Sequence, residues 1–289
     1  MISITFSILV LLVPGLAAQN ATLCGRYDRV TGSLSPYTFA SNQWGDDGSG
    51  SQCIKIAADE TVFNATWKWS KNPDSVHSFP NIKLNSNLLP RKLSNLSSLN
   101  VAASWTMAPV STSKSLEEVN AAANVIIDMF LDPSPVSANS TTLPKYEVMI
   151  WLSEVGGKKP IGFSSSIKNP PKYKLNNTSF TLYSGSNSNG QHVFGWLASP
   201  NMTSFKGDIS PLLHYLWRHK LIDDANYLGI VQFGTETFHS TSDVVFSAHN
   251  YNLSIAAGMP SPNASPAATN VPNSCLGIIS VSLILAVLI

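Results

Sequence analysis

The sequence predicts an all-β protein, a β-sandwich or jelly roll of two antiparallel sheets with one packed helix. Between residues 19 and 257, short segments of alternating apolar and polar residues are separated by clusters of Gly, Pro, Asn and Ser. This density of short strands with frequent turn signals is typical of sandwiches and jelly rolls. The segment has no repeat of fixed period and no internal linker. We therefore expect a single domain, because all-β folds of this size often form one.

The strand pattern is clearest in eight segments. They are residues 64–69, 101–107, 124–131, 146–152, 180–183, 193–197, 228–233 and 244–254. Residues 209–222 differ, because their apolar side chains recur near the helical period. Asp208 or Ser210 could cap this segment. We expect it to be the only substantial helix, packed against the sandwich.

Residues 1–18 are predicted to be a signal peptide. An apolar run over residues 8–13 precedes small residues, and Ala17 and Ala18 place the cleavage after Ala18. The run is too short for an uncleaved anchor, which needs about 20 apolar residues. We therefore expect residues 19–257 to form the domain of a secreted protein. Repeated Asn-x-Ser/Thr sequons agree with secretion.

The C-terminal region predicts a lipid anchor. Residues 258–275 form a linker rich in Pro, Ser, Ala and Asn, and residues 276–289 are an apolar tail. Small residues, a spacer and an apolar tail constitute a glycosylphosphatidylinositol attachment signal, with Asn263 or Ser265 as the attachment residue. The alternative is a spanning helix, but the tail is short and has no cationic flank. We expect the tail to be removed and the protein to be held at the cell surface.

The cysteines indicate one disulfide. Cys24 and Cys53 lie in the predicted domain, whereas Cys275 borders the tail. In an oxidising compartment a Cys24–Cys53 disulfide is expected, and two free buried thiols are the alternative.

Composition excludes several classes of partner and cofactor. Charged residues make up 12% of the chain and the formal net charge is +1, so no clustered basic surface for nucleic acid or an anionic membrane is expected. The histidines lack metal-ligand spacing, and phosphate-binding loops and nucleophilic Ser motifs are absent from the sequence. We expect neither a metal nor a cofactor.

Glu147 is the first candidate for chemistry. In its strand Val148 and the apolar residues at alternate positions face one side, whereas Glu147, Met149 and Trp151 face the other. A carboxylate in line with an indole suits a sugar ring, because the C–H faces of sugars stack on aromatic rings. The alternative is a solvent-facing Glu beside an incidental Trp. This segment alone supports both interpretations equally.

Two further acids lie in comparable positions. Glu236 follows Gly234 and Thr235 at the end of a strand and shares its parity with Gln232. Two carboxylates on one open face are what glycosidic bond cleavage needs, one to protonate the leaving oxygen and one to attack or activate water. Asp128 faces away from the predicted core, and on its own segment it is more simply a surface acid.

These segments resemble glycoside hydrolase family 12, the endoglucanases and xyloglucan-specific endoglucanases. The resemblance is collinear over residues 24–255. It is carried by Asn42-Gln43-Trp44-Gly45, Trp67-Lys68-Trp69-Ser70, residues 76–81, Asp128-Met129-Phe130, residues 146–152 with Pro160-Ile161-Gly162, and residues 233–238. Thr237 stands where the family commonly has Pro, which leaves the carboxylate of Glu236 in place.

The resemblance implies a jelly roll whose concave sheet forms an open substrate cleft. Glu147 would be the nucleophile and Glu236 the acid/base of a retaining mechanism, which needs carboxyl groups about 5 Å apart. Asp128 would assist Glu147 by hydrogen-bonding to it and sharing a proton, which predicts an acidic pH optimum. Asn42 and Trp44 would line the cleft.

Met149 and Trp151 share the strand face of Glu147 and are expected from this parity to contact the substrate. The same resemblance implies the remaining roles. Cys24 and Cys53 fall where the family has its N-terminal disulfide. The substrate would be a β-1,4-glucan of cellulose or mixed-linkage type, cut internally by a monomer. Xyloglucan is the alternative substrate. A non-catalytic, carbohydrate-binding surface protein is the alternative class, which the presence of both glutamates opposes.

Overall fold

The computed structural model describes residues 20–260, and within this range nearly all regular structure is β-strand. The strands are β1 (Ala21–Leu23), β2 (Arg29–Thr31), β3 (Tyr37–Ala40), β4 (Gly50–Ile56), β5 (Val62–Trp69), β6 (Asn81–Leu84), β7 (Arg91–Lys92), β8 (Leu96–Pro109), β9 (Ala122–Asp132), β10 (Tyr146–Val155), β11 (Lys172–Leu175), β12 (Thr178–Ser186), β13 (His192–Ser199), β14 (Ser204–Asp208), β15 (Tyr227–Gly234), β16 (Thr237–His239) and β17 (Val244–Ala257). The helices are α1 (Pro135–Ala138), α2 (Ser210–Arg218) and a 3-10 turn at Leu93–Asn95. Each of the eight predicted strand segments lies within one of these strands.

The strands form two sheets, as the sequence predicted. The smaller sheet has the order β1-β4-β5-β17-β8-β14. The larger has eleven strands, in the order β11-β12-β13-β10-β9-β15-β6-β3-β2, with β16 pairing with β9 and β7 pairing with β15. Its pairings are antiparallel except for β10 with β13, which run parallel. The connection between these two strands contains β11 and β12. Because β12 is antiparallel to both β11 and β13, β11 runs in the same direction as β13 and β10.

The core lies between the sheets and is held by aromatic contacts across them. Phe233 of β15 is fully buried, and its ring centroid lies 5.9 Å from that of Trp105 and 6.3 Å from that of Phe246. Such aromatic pairs contribute about 0.5–1.5 kcal/mol each beyond their buried area. Because strand side chains alternate, burying Phe233 turns Gln232 and Gly234 to the opposite face of the larger sheet.

The late helix is shorter than the predicted 209–222. It begins at Ser210, whose backbone N–H donates to Asp208 Oδ1 at 2.9 Å, and Pro211 occupies its first turn, where a missing N–H costs nothing. It ends at Arg218, because Lys220 adopts a left-handed φ of 58° that a helix cannot continue. The apolar pattern continued to Leu221, but this residue lies beyond the turn.

The disulfide between Cys24 and Cys53 is present and ties the N-terminal segment to β4. None of the helices between residues 20 and 260 is long and apolar enough to cross a bilayer. The predicted signal peptide, Cys275, the tail over 276–289 and the linker beyond residue 260 lie outside the described residues.

Candidate active site

The candidate site lies on the outer face of β10, β9 and β15, at the middle of the larger sheet. Three strands of the sheet's main order lie on each side of this trio. Asp128 of β9 is opposite Met149 on one side and Gln232 on the other, and Glu147 is opposite the next residue of that face, Phe130. The core side chains of these strands point the other way. Glu147 and Asp128 are therefore diagonal neighbours on one surface.

Glu147 is 7% exposed and is held by the loop between β12 and β13. Asn187 Nδ2 donates to Glu147 Oε2 at 2.8 Å and to Gln191 Oε1 at 2.8 Å. Asn187 Oδ1 accepts from the backbone N–H of Gln191 at 3.1 Å. Gln191 Nε2 in turn donates to Pro144 O at 3.0 Å. These contacts leave the Asn187 amide one orientation, with its N–H aimed at the carboxylate.

Glu236 is held in the same way by a different asparagine. Asn124 Nδ2 donates to Glu236 Oε2 at 2.5 Å, and Asn124 Oδ1 accepts from the Glu236 backbone N–H at 2.8 Å. The Asn124 backbone N–H donates to Glu236 O at 3.1 Å. Gly234, two residues before Glu236, lets β15 approach the segment before β6 closely, because a Cβ there would lie 2.2 Å from Pro80 O. Two of these three hydrogen bonds fix the backbone of Glu236 just after β15, and the third fixes its carboxylate.

Asp128 is 4% exposed and lies close enough to both glutamates for their charges to act on it. Burial raises the pKa of Asp128 well above its ordinary value, and the charges of Glu147 and Glu236 raise it further. Its Oδ1 has no hydrogen-bond partner among residues 20–260. A buried carboxyl in this setting is neutral, because an unpaired buried charge is costly.

The two glutamates also titrate well above the usual range of carboxyl groups. Burial raises the pKa of Glu147 to about 7, against the lowering effect of Asn187. Burial also raises the pKa of Glu236 to about 7, together with the charge of Glu147 and against the hydrogen bond from Asn124. Because ionised Glu147 raises the pKa of Glu236, the state with one carboxylate and one carboxylic acid is favoured near neutral pH.

The predicted substrate contacts fall into two groups. Met149 and Trp151 are 6% and 2% exposed and pack with Phe79 and other apolar side chains beneath the surface. Trp44 is 47% exposed, so its ring is open to a ligand. Asn42 is half-buried with a left-handed φ of 47°, and its carbonyl accepts from Phe79 N at 2.9 Å. The structure therefore brings Glu147, Asp128 and Glu236 together, and of the predicted aromatic contacts it leaves Trp44 exposed.

A second aromatic surface was not anticipated from the sequence. Tyr183 of β12 is opposite Gly195, which is opposite Met149, so it shares the cross-strand row of Asp128. The ring of Phe163, 39% exposed, lies 5.1 Å from that of Tyr183. The two rings form a platform on the β12 side, whereas Trp44 follows β3 on the other side. In the sequence, the aromatic residue at position 163, just after the Pro160-Ile-Gly162 loop, could have indicated this surface.

Two asparagines, Asn124 and Asn187, were also missed. Asn124 precedes Asp128 by four residues in the same strand, so the two share a face, and this parity could have placed Asn124 at the site. Asn187 lies in a Ser/Asn/Gly-rich turn whose composition indicates only a loop. Over residues 20–260 the structure has no cluster of three or more His, Cys, Asp or Glu side chains that could hold a metal ion.

Comparison with known proteins supports the same assignment. The model of glycosyl hydrolase family 12 matches residues 35–256. A probable xyloglucan-specific endo-β-1,4-glucanase A from Aspergillus fumigatus is 33% identical over 245 residues, which covers 83% of this chain and 94% of that protein.

Solved structures give the same result. Endoglucanase 3 of Trichoderma harzianum, from the same family, superposes with a TM-score of 0.69 at 28% identity, covering 83% of this chain and 99% of that one. The catalytic domain of Humicola grisea Cel12A, in complex with a thio cellotetraose, gives a TM-score of 0.68 at 28% identity, covering 82% and 99%. The fold, the paired glutamates and these matches agree, and the chain belongs to glycosyl hydrolase family 12.

Proposed function

We propose that the protein is a retaining endo-β-1,4-glucanase in which Glu147 is the nucleophile and Glu236 the acid/base. The observation that carries the proposal is the pair of carboxyl groups on one outer face, each held by its own asparagine. Each has a pKa of about 7. A pair that shares one proton near the working pH supplies both the acid and the nucleophile that retaining hydrolysis needs.

The reaction follows from the positions of these groups. Glu236 donates its proton to the glycosidic oxygen while Glu147 attacks the anomeric carbon, which forms a glycosyl-enzyme ester and releases the leaving chain. Water then attacks the same carbon, and Glu236, now ionised, takes its proton. Asp128, kept neutral by burial, lies beside Glu147 without adding a second charge that would oppose attack.

Internal cleavage is supported by the position of the site in the sheet. The carboxyl groups lie on central strands, with β13, β12 and β11 on one side and β6, β3 and β2 on the other. Exposed aromatic rings lie on both sides, namely Trp44, in the turn that bonds to the segment before β6, and Phe163 beside β12. A polysaccharide can therefore extend in both directions from the reacting bond, with sugar rings stacked on aromatics.

Xyloglucan is the favoured substrate among the β-1,4-glucans. Relatives from Aspergillus fumigatus and Emericella nidulans, which match over more than 80% of this chain, have names that specify xyloglucan. Linear glucan is the second candidate substrate, because the similar solved structures include the Trichoderma endoglucanase and a complex with a thio cellotetraose.

The purified protein should be assayed for reducing ends released from xyloglucan, barley β-glucan and carboxymethylcellulose. We expect release that Glu147→Ala abolishes, with a fast loss of viscosity that marks internal cleavage. Glu154→Ala is the matched control, because Glu154 lies on the same strand but pairs with Lys159 at 2.8 Å. No release from any of the three polymers, with binding retained, would select the non-catalytic carbohydrate-binding alternative.

We also propose that the mature protein is secreted as a monomer of residues 19–257 plus part of the linker, held at the cell surface by a C-terminal lipid. The Cys24–Cys53 disulfide supports an oxidising compartment. Phosphatidylinositol-specific phospholipase C should release the protein from intact cells. Mature protein in the culture medium with its apolar tail intact would contradict the anchor.

A further inference from the structure

Thr237, the residue directly after Glu236, lies in a continuous chain of buried hydrogen bonds. Trp69 Nε1 donates to Thr237 Oγ1 at 2.9 Å, and Thr237 Oγ1 is 2.5 Å from Ser78 Oγ. Ser78 Oγ donates to Gln52 Oε1 at 2.5 Å. Gln52 Nε2 then donates to Ser41 O at 2.7 Å. All five residues are 2% exposed or less.

The direction of each bond in this chain is fixed. Ser78 Oγ has one hydrogen, which goes to Gln52, so the hydroxyl of Thr237 must donate to Ser78. Thr237 Oγ1 accepts from Trp69 at the same time. The hydroxyl of Thr237 thus has both a donor and an acceptor partner, and its loss would leave the Trp69 N–H buried and unpaired.

The backbone of Thr237 is tied to the same segment. Its N–H donates to Ser78 O at 2.9 Å, and its carbonyl accepts from His77 N at 2.9 Å. His77 O accepts from Gly45 N at 2.9 Å, next to Trp44. The short segment 77–79 therefore connects the residue after the acid/base to the turn that carries the exposed tryptophan.

We infer that Thr237 is a positioning residue for Glu236, whose hydroxyl anchors the acid/base segment to the buried chain through Trp69 and Ser78. Thr237 begins β16 and is covalently next to Glu236, so fixing the side chain and the backbone of Thr237 limits the directions that the Glu236 side chain can take. Asn124 holds the carboxylate from the side, and Thr237 holds its backbone from beneath. The inference rests on the proposed role of Glu236.

The pKa of the leaving group distinguishes a residue that positions the general acid from a residue that only stabilises the fold. A general acid matters for a leaving group of high pKa, such as a sugar hydroxyl, and contributes little for dinitrophenolate, which leaves without a proton. The ratio kcat/KM reports the first irreversible step, which is the step that Glu236 assists as an acid. Misplacing Glu236 should therefore lower kcat/KM for glucan and spare kcat/KM for 2,4-dinitrophenyl cellobioside.

The test compares Thr237→Val, which keeps the shape and removes the hydroxyl, with Thr237→Ser, which keeps the hydroxyl. We expect Thr237→Val to lower kcat/KM on the glucan by about tenfold, part of the roughly 10²–10⁴-fold that a general acid supplies. We expect less than a twofold change on the dinitrophenyl substrate. Thr237→Ser should restore most of the activity on the glucan.

Ser247→Ala is the matched control, because Ser247 donates to Asn64 Oδ1 on the smaller sheet, away from the site. Equal losses on both substrates, or no rescue by Thr237→Ser, would overturn the inference. If Thr237→Val does not fold, Ser78→Ala removes the next member of the chain and must show the same dependence on the leaving group. A native enzyme inactive on both substrates would refute the proposed function itself.

Discussion

Asn187 Nδ2 lies 2.8 Å from Glu147 Oε2 and donates a hydrogen bond to the proposed nucleophile. The bond stabilises the charged form of a carboxyl group whose pKa burial raises to about 7. A loop side chain thus offsets part of the cost of keeping a buried nucleophile ionised. Gln191 fixes the amide by accepting from the same Nδ2 and donating its backbone N–H to Oδ1.

Asn187→Ala should raise the pKa of Glu147 and move the acidic limb of the pH–rate profile to higher pH. The nucleophile reacts as the carboxylate, so removing a donor to that form makes it available only at higher pH. A hydrogen bond to a charged group contributes about 1.5–3 kcal/mol, which corresponds to about one to two pH units. The profile of kcat/KM on glucan measures the shift.

Asn189→Ala provides the control for Asn187. Asn189 lies in the same turn and its Nδ2 donates to Gln191 Oε1 at 3.5 Å, but within residues 20–260 it makes no hydrogen bond to Glu147. The control should leave the acidic limb in place. An equal shift in both variants would mean that the turn as a whole, and not the Asn187 donor, sets the pKa of the nucleophile.

The unmodified enzyme should have a bell-shaped pH profile with its optimum at about pH 6–7. Activity should fall at low pH as Glu147 is protonated, and at high pH as Glu236 loses the proton it must donate. Ionised Glu147 raises the pKa of Glu236, so the second proton leaves at higher pH than the first. The apparent values belong to the pair. Maximal activity well above neutrality would contradict the sharing of one proton between Glu147 and Glu236.

Much of the fold was predictable because strand parity reports which face is buried. Val148 and Phe233 were placed in the core by alternation, and both are fully buried. The same parity placed Glu147 and Glu236 on the opposite face. Parity does not indicate where a strand or helix begins and ends. The short strands near the N-terminus were therefore missed, and the helix was predicted to continue past Arg218. Chain direction within the sheet, such as the parallel β10–β13 pair, also depends on long-range pairing.

The site was less predictable than the fold, because loops complete it. The sequence placed Trp151 on the face of Glu147, but neighbouring side chains and loops cover it to 2% exposure. Asn187 lies forty residues after Glu147 in the chain, and only folding of the β12–β13 turn brings the two together. Alternation within one strand contains no information about such contacts.

Trp44→Ala and Phe163→Ala should raise KM for the polymer by about two- to tenfold, with little change in kcat. Each ring is exposed at one side of the central strands, and loss of a stacking contact costs about 0.5–1.5 kcal/mol. At most one of the two changes should affect kcat/KM on 2,4-dinitrophenyl cellobioside, because its two sugar rings extend to only one side of the reacting bond. Leu34→Ala, at a residue that is 66% exposed, is the control for loss of surface apolar area. A drop in kcat with unchanged KM would argue against a binding role.

Glu147→Gln should stabilise the protein at pH 8 and have little effect at pH 4. A carboxyl group with a raised pKa binds its proton more tightly when folded, so the stability it contributes is present below its unfolded pKa of about 4.3 and is lost as the pH rises through the folded value of about 7. Glutamine keeps the shape and cannot ionise. It also removes the charge that raises the pKa of Glu236, which adds to the gain. We expect the free energy of unfolding at pH 8 to rise by an amount on the order of 2 kcal/mol.

Urea unfolding of both proteins between pH 4 and pH 8 measures this dependence. Asp128→Asn should act in the same direction, because burial and both glutamates raise the pKa of Asp128. Glu154→Gln is the control, since it breaks the 2.8 Å pair with Lys159 and should give no gain at pH 8. A stability difference for Glu147→Gln that is constant from pH 4 to pH 8 would mean that altered packing, and not the ionisation of Glu147, causes it. A difference that grows with pH would show that ionising Glu147 lowers the free energy of unfolding, so that the rest of the fold must offset the cost of an ionised nucleophile.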